Sequence, residues 1–223
     1  MTKEQPPRSC PADHWSDYEA HWRSHAILSD AVLELVHRLN VEYLQFLARS
    51  PRQAGVAGSR LPDPLCAALM ALTAERRAEV ARCPFVLFAA RFNDHEFWSQ
   101  ASTGTTIADG AGGAPPYVQP TRAESFAQAG LLFAWHLVHL NAVAAPLVLG
   151  MSPRTIHVFA SLSLPRVLDL AWAYPHIVTL RWRGRADFWK ELLAQPQAGG
   201  PHPANAAHLL ALQILAAEVA ADA

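Results

Sequence analysis

Two stretches of this 223-residue chain resemble each other, and an internal repeat constrains the fold more than any single motif does. The first stretch runs from Leu72 to Trp98 and the second from Leu162 to Trp189. Their opening Leu-Thr and Leu-Ser pairs lie 90 residues apart, whereas the Phe-Trp pairs that close them lie 91 apart. Loops between fixed elements tolerate such a one-residue slip. The sequence therefore predicts two copies of one unit.

The copies are expected to be mainly helical, with short extended segments at 84–92 and 176–182. Residues 27–48 have an amphipathic helical pattern, and one apolar helix is predicted over 123–149. Thr73, Ser152 and Ser163 are placed to cap helices at their N-termini, and Gly150 to end one. The last helix, from Ala204 to Ala221, is expected to dock, on the body of the protein or on a partner, through a face made of Leu209, Leu212, Ala216 and Val219.

Stretches rich in proline and glycine divide the chain into five parts. We expect a flexible tail at 1–12, a first helical repeat at 13–100, a linker at 101–122, a second helical repeat at 123–195 and a C-terminal helix at 196–223. The fold class that follows is mainly α, with two tandem repeats packed as a pseudo-dimer and a docking helix at the end.

Composition excludes several classes of protein. Apolar residues make up 51% of the chain and charged residues 17%, which is typical of a well-buried globular protein. The net charge of −1 provides no overall attraction to nucleic acid or membrane. The three cysteines lack metal or disulfide-framework spacing, and no signal peptide is evident, so the predicted location is cytoplasmic. Polar residues interrupt the apolar run at 131–151, so no membrane insertion is predicted.

The spacing from Leu149 onward resembles the FlhD-type flagellar transcriptional activators. The matching groups are Leu149-Gly150-Met151, Leu162-Ser163-Leu164-Pro165, Leu170-Ala171 and Leu180-Arg181-Trp182, in register without gaps. The resemblance covers about Phe133 to Leu193, and the first copy shares it more weakly. Because the motif consists of helix caps and core leucines, it specifies a fold better than a function.

The resemblance implies a nearly all-helical protein that dimerises and acts with a second protein subunit, which supplies much of the DNA contact. The family has one short unit per chain, so two units here imply a covalent pseudo-dimer, with a homodimer also open. The family's inter-subunit cysteine has no counterpart, since Phe88 and Thr179 occupy that region. Cross-linking is therefore not expected.

The candidate contact residues for DNA or a partner are the basic side chains of the second copy. They are Arg154, Arg166, Arg181, Arg183, Arg185 and Lys190. The alternative is a solvated rim balanced by Asp187 and Glu191. The helices predicted at 153–160 and 165–173 have the layout of a helix-turn-helix, although an ordinary helical corner has the same pattern.

No pattern indicates an enzyme or a cofactor. Asp94-His95-Glu96 resembles an acid–base group, but its counterpart, 185–187, does not keep the triplet, and no nucleophile accompanies it. The histidines at 14, 21 and 25 share a helical face, which leaves metal or haem binding as an alternative to an exposed polar stripe. Cys83 is expected to be buried and inert.

The function predicted from these features is that of a non-enzymatic bacterial transcriptional regulator, FlhD-like, which acts through protein–protein contacts and, jointly with a partner, on DNA. The alternative is a structural adaptor or accessory subunit of a secretion or motility apparatus. Near-neutral charge and the apolar stretch at 131–151 favour the adaptor. The gap-free spacing of the motifs favours the regulator.

Overall fold

The structure, a computed structural model, describes residues 28–49, 63–104, 121–194 and 203–221. These residues form ten helices and one two-stranded ribbon, so the mainly α fold class is confirmed. In chain order the elements are α1 (Asp30–Arg49), α2 (Asp63–Met70), α3 (Ala74–Val80), β1 (Phe88–Ala89), α4 (His95–Ser102), α5 (Arg122–Leu140), α6 (Ala145–Leu149), α7 (Pro153–Ser161), α8 (Leu164–Ala173), β2 (Thr179–Leu180), α9 (Ala186–Leu193) and α10 (Pro203–Ala221).

The predicted caps set the helix boundaries. The Thr73 hydroxyl accepts from the amide of Arg76, and the Ser163 hydroxyl, 90 residues later, accepts from the amide of Arg166. Ser152 caps α7 in the same way. Each oxygen satisfies an amide that has no partner inside its helix. Gly150 ends α6 in the left-handed conformation, at φ 67°.

The single helix predicted over 123–149 is wrong. It breaks after Leu140 into α5 and α6. Asn141 leaves the helical conformation, at φ −155° and ψ 81°, and its side-chain oxygen accepts from the Ala144 amide at 3.2 Å. An asparagine that bonds its own downstream backbone competes with helix continuation. Pro146 then stands in the first turn of α6, where its missing N–H is harmless.

The two extended segments meet at the centre of the fold. Phe88 pairs with Leu180 and Ala89 pairs with Thr179 in an antiparallel ribbon. The backbone amide of Arg181 donates to the Leu87 carbonyl at 3.0 Å, and the Val86 amide donates to the Val148 carbonyl at the same distance. This ribbon therefore joins chain segments that are about 90 residues apart in sequence.

Residues 91 apart repeat each other's local geometry around the ribbon. Arg91 and Trp182 are the two non-glycine residues with positive φ in the described part of the chain, at 53° and 50°. The amide of Asp94 donates to the Arg91 carbonyl and the amide of Arg185 to the Trp182 carbonyl, both at 2.8 Å. The ribbon pairing is reciprocal at the same offset. Phe88 pairs with Leu180, the counterpart of Ala89, and Ala89 pairs with Thr179, the counterpart of Phe88.

Helix packing follows a reciprocal pattern. α1 packs against α2 and α3, whereas α5 packs against α7 and α8, and α1 and α5 contact each other. α4 packs on α7, and α9 packs on α2. Each helix that follows the ribbon therefore crosses to the other half of the sequence. Trp98 and Trp189, one on each of these crossing helices, are fully buried.

Asn40 fixes α1 to the segment before β1. Its side-chain amide donates to the carbonyls of Ala81 and Phe85, at 3.1 and 2.9 Å, and its oxygen accepts from the Leu87 amide at 2.8 Å. Asn40 is fully buried, so each of these bonds replaces one with water. One polar side chain thus satisfies three backbone groups where the chain enters the ribbon.

The C-terminal helix docks, but through a different face from the one predicted. Among its described side chains, Ala207, Ala211 and Leu215 are buried, spaced four apart. The side chains of Ala216 and Val219, from the predicted face, lie outside the described ones. Leu209 is 63% exposed and Leu212 is 47% exposed, so these two point away from the body. The helix is apolar nearly all round, so its sequence does not mark one docking face.

Tyr43 is a buried residue whose hydroxyl has no hydrogen-bond partner among the described residues. Its ring packs against Phe126 and Phe88 at centroid distances of 5.1 and 5.6 Å. An unpaired buried hydroxyl costs free energy, and burial raises the pKa of Tyr43 well above its ordinary value.

We expect Tyr43→Phe to leave stability unchanged or raise the free energy of unfolding by about 1 kcal/mol, because only the unpaired hydroxyl is lost. Urea denaturation measures this. Tyr43→Leu is the matched control, and loss of the ring contacts should cost about 1–3 kcal/mol. A clear destabilisation by Tyr43→Phe would contradict the expectation, since it would mean that the hydroxyl is hydrogen-bonded.

Candidate functional site

The six predicted contact residues fall into two groups in the structure. Arg154, Arg183, Arg185 and Lys190 are exposed, whereas Arg166 is half-buried and Arg181 is only 3% exposed. Arg183, Arg185 and Lys190 belong to the turn after β2 and to α9, and Arg154 lies in the first turn of α7.

Arg181 is a core residue, and not the surface contact that was predicted. Its Nη1 donates to the carbonyls of Val148 and Val86, at 2.9 and 3.2 Å. The guanidinium lies 4.3 Å above the Trp182 ring, in a cation–π contact. Nη2 has no hydrogen-bond partner among the described residues. A buried guanidinium that holds two backbone carbonyls cannot also reach a phosphate on the surface.

The charge of Arg181 survives its burial. Desolvation lowers the pKa of Arg181 to about 10, and the carboxylate of Glu218 on α10 opposes that shift. The side chain is therefore cationic at neutral pH, without an ion-pair partner within 4 Å among the described residues. A buried charge of this kind is tolerated only where polar groups surround it, which here are two carbonyls and an aromatic face.

Arg166 caps the end of α4. Its Nε and Nη2 donate to the carbonyl of Ala101, at 3.1 and 2.7 Å. The last carbonyls of a helix carry partial negative charge and lack partners inside the helix, so a cation there is stabilising. Because Arg166 is bonded to α4, α8 has few polar side chains left that could contact DNA bases. Its Val167, Leu170 and Ala171 are buried.

Asp94 has a structural role in α4. Its Oδ1 accepts from the Phe97 amide at 2.9 Å, and its Oδ2 pairs with Arg91. The bond from the Phe97 amide, and then Arg91, hold the pKa of Asp94 below its ordinary value. The triplet at 94–96 is thus explained as a helix start. Cys83 is fully buried, and desolvation raises the pKa of its thiol to about 12.

Metal binding by the N-terminal histidines stays a prediction. His14, His21 and His25 lie outside the described residues. Within the described ranges, no three His, Cys, Asp or Glu side chains are grouped to hold a metal ion. Of the helices described, none combines the length and the apolar character that crossing a membrane requires.

Sequence reasoning missed a groove between the end of α8 and the start of α4. The side chains of Arg91, Phe97, Tyr174, His176 and Ile177 line this groove, which has a volume of about 270 Å³. It is called the open groove because no other described part of the chain covers it. Tyr174 meets Phe97 edge-on at 5.3 Å, and the Arg91 guanidinium lies over the Phe97 ring, 4.3 Å from its centroid. At an offset of 91 residues, His176 corresponds to Phe85 and Arg91 corresponds to Trp182. The exchange of these aromatic residues for polar ones is the signal in the sequence that could have revealed the groove.

Comparison with known proteins gives no family assignment. The chain matches no protein-family model, and neither the curated proteins nor the solved structures include one that is significantly similar to it.

Proposed function

We propose that this chain is a non-enzymatic bacterial regulator of FlhD type, made of two tandem helical units packed as a pseudo-dimer. It acts through a protein partner and contacts DNA only jointly with that partner. The observation that carries the proposal is the reciprocal arrangement around the ribbon. Phe88 and Ala89 pair with residues that correspond to Ala89 and Phe88, as identical surfaces do across a two-fold axis.

The crossing helices support the same proposal. α4 packs on α7, and its counterpart α9 packs on α2, the element that corresponds to α7. In a dimer of single units, such crossing would exchange a helix between subunits. Joining the two units in one chain makes the exchange intramolecular and raises the effective concentration of each for the other.

The four exposed basic residues are the proposed DNA contacts. A protein gains affinity for DNA by releasing counterions at each phosphate it neutralises. Four cations, with Asp187 and Glu191 on the same helix as Lys190, make a small surface. We therefore expect weak DNA binding by the chain alone and stronger binding when the partner adds its own contacts.

Transcript profiling of a deletion strain tests the proposal. The strain is complemented with the wild type, with a quadruple variant (Arg154→Ala, Arg183→Ala, Arg185→Ala and Lys190→Ala) or with a charge-matched control (Arg38→Ala, Arg49→Ala, Arg82→Ala and Arg122→Ala), whose four arginines are also exposed. We expect deletion to change a defined set of transcripts, the control to restore them and the quadruple variant to fail. Unchanged transcripts after deletion would refute the proposal.

The second candidate function is a structural adaptor of a secretion or motility apparatus. Arg166 and Arg181, two of the six candidate DNA contacts, donate hydrogen bonds to carbonyls within the protein, and this favours the adaptor. If the quadruple variant restores function fully, and apparatus components instead of transcription proteins co-purify with the chain, the adaptor is the better description.

A further inference from the structure

The C-terminal helix occupies a groove in its own chain. Its small and apolar face, with Ala207, Ala211 and Leu215 buried, packs along α9. At one end the His208 ring meets Phe85 edge-on at 5.8 Å. At the other end the Glu218 carboxylate accepts from the Trp182 indole at 3.1 Å. This closed groove is built from Phe85, Trp182 and Phe188, whose rings contact one another at 4.8–6.2 Å.

The open groove stands at the corresponding place in the other half. Adding 91 to Arg91 and Phe97 gives Trp182 and Phe188, and subtracting 91 from His176 gives Phe85. Both grooves therefore lie between the helix after the ribbon and the segment before the ribbon of the opposite half. Phe188 is 1% exposed beneath α10, whereas Phe97 remains half-buried.

We propose that the open groove binds a helix of the partner protein, with small residues along its packed stripe and a carboxylate at the end of that stripe. This inference rests on the proposed function and specifies its partner contact. The internal precedent is α10, which presents such a stripe and such a carboxylate to the closed groove. The half-buried ring of Phe97 supplies the apolar floor.

The rim of the open groove favours an acidic helix. In the open groove, Arg91 occupies the position that Trp182 occupies in the closed groove, where the Trp182 indole donates to Glu218. Nε and Nη2 of Arg91 donate to Asp94, which leaves Nη1 to donate to an incoming carboxylate. His176, which is exposed, replaces the buried Phe85. Polar residues at the rim are hydrated while no partner is bound, as they are at the rims of interfaces that assemble and dissociate.

A labelled peptide with the sequence of residues 203–221 is a direct probe, because it carries the stripe and carboxylate that the open groove should accept. The full chain already holds its own copy of this helix, so added peptide reports on the open groove. Fluorescence anisotropy should show saturable binding of one peptide per chain. Ala173→Arg, at an exposed position that lines the groove, should weaken binding on the order of tenfold.

Ala160→Arg is the matched control, since Ala160 is also exposed near the end of a helix but lies outside the groove. It should bind the peptide as the wild type does. Arg91→Gln is a second variant, which removes the guanidinium at the place where Trp182 meets Glu218 in the closed groove. It should weaken binding of the wild-type peptide several-fold and affect binding of a Glu218→Gln peptide less.

Three results would overturn the inference. The peptide could fail to saturate, or it could bind equally to the wild type and Ala173→Arg. Sedimentation could instead show that the wild type dimerises and that Ala173→Arg separates the dimer, which would make a second copy the occupant. If the peptide fails while gene deletion still alters transcripts, only the groove inference falls and the regulator proposal stands.

Discussion

Replacing Arg181 with methionine should lower the free energy of unfolding by about 2 kcal/mol, because it leaves the buried carbonyl of Val86 without a donor and removes one of the two donors to the Val148 carbonyl. Methionine keeps much of the aliphatic bulk, so a large cavity is not created. The lost desolvation cost of the charge offsets part of the penalty. Urea denaturation followed by tryptophan fluorescence measures the change.

Arg183→Met is the matched control for the buried arginine. Arg183 is exposed two residues away and makes no hydrogen bond to the described part of the chain. It should change the free energy of unfolding by less than about 0.5 kcal/mol. Equal effects of the two substitutions would show that Arg181 does not hold the centre of the fold, and the explanation of its burial would fail.

Replacing Gly150 with alanine should cost about 2–4 kcal/mol, for two reasons. At φ 67° an L-residue with a Cβ loses roughly 1–2 kcal/mol. The new Cβ would also lie 2.3 Å from Nη2 of Arg181. The end of an arginine usually moves aside easily, but this guanidinium is fixed by the carbonyls of Val86 and Val148 and by Trp182.

Gly184→Ala is the control for this substitution, since a Cβ there meets nothing within 4 Å and its φ lies outside the positive range. It should be neutral or stabilise by up to about 0.5 kcal/mol. Gly150→Ala should also cost less in the Arg181→Met background, because the fixed guanidinium is gone. Additive effects in the double variant would contradict a direct steric contact between the two positions.

Local patterns in the sequence were sufficient to place the capped helix starts. Thr73, Ser152 and Ser163 cap the helices that they were predicted to cap, because a hydroxyl next to free amides acts within one turn. Gly150 was found for the same reason, since its left-handed conformation is a local property. The break at Asn141 was missed because apolar residues continue on both sides of it, and hydropathy does not register a side chain that bonds its own backbone.

The candidate site was less predictable, because it depends on which side chains the fold buries. Arg181 and Arg183 are alike in sequence and two residues apart, yet one holds the centre and the other faces water. Strict alternation along an extended segment would place residues 181 and 183 on the same face, but the chain turns at Trp182, at φ 50°, and so separates them. The open groove was hidden for a similar reason, since its residues come from two distant segments.

The sequence by itself determined the helical class, the capped helix starts and the near-equivalence of two stretches about 90 residues apart. These follow from interactions within a few residues and from similarity along the chain. Only the tertiary structure decided that Arg166 and Arg181 serve the interior, that α10 docks through its alanine face and that one of two corresponding grooves stays open. Burial is set by contacts between segments that are far apart in sequence, and such contacts leave little trace in local composition.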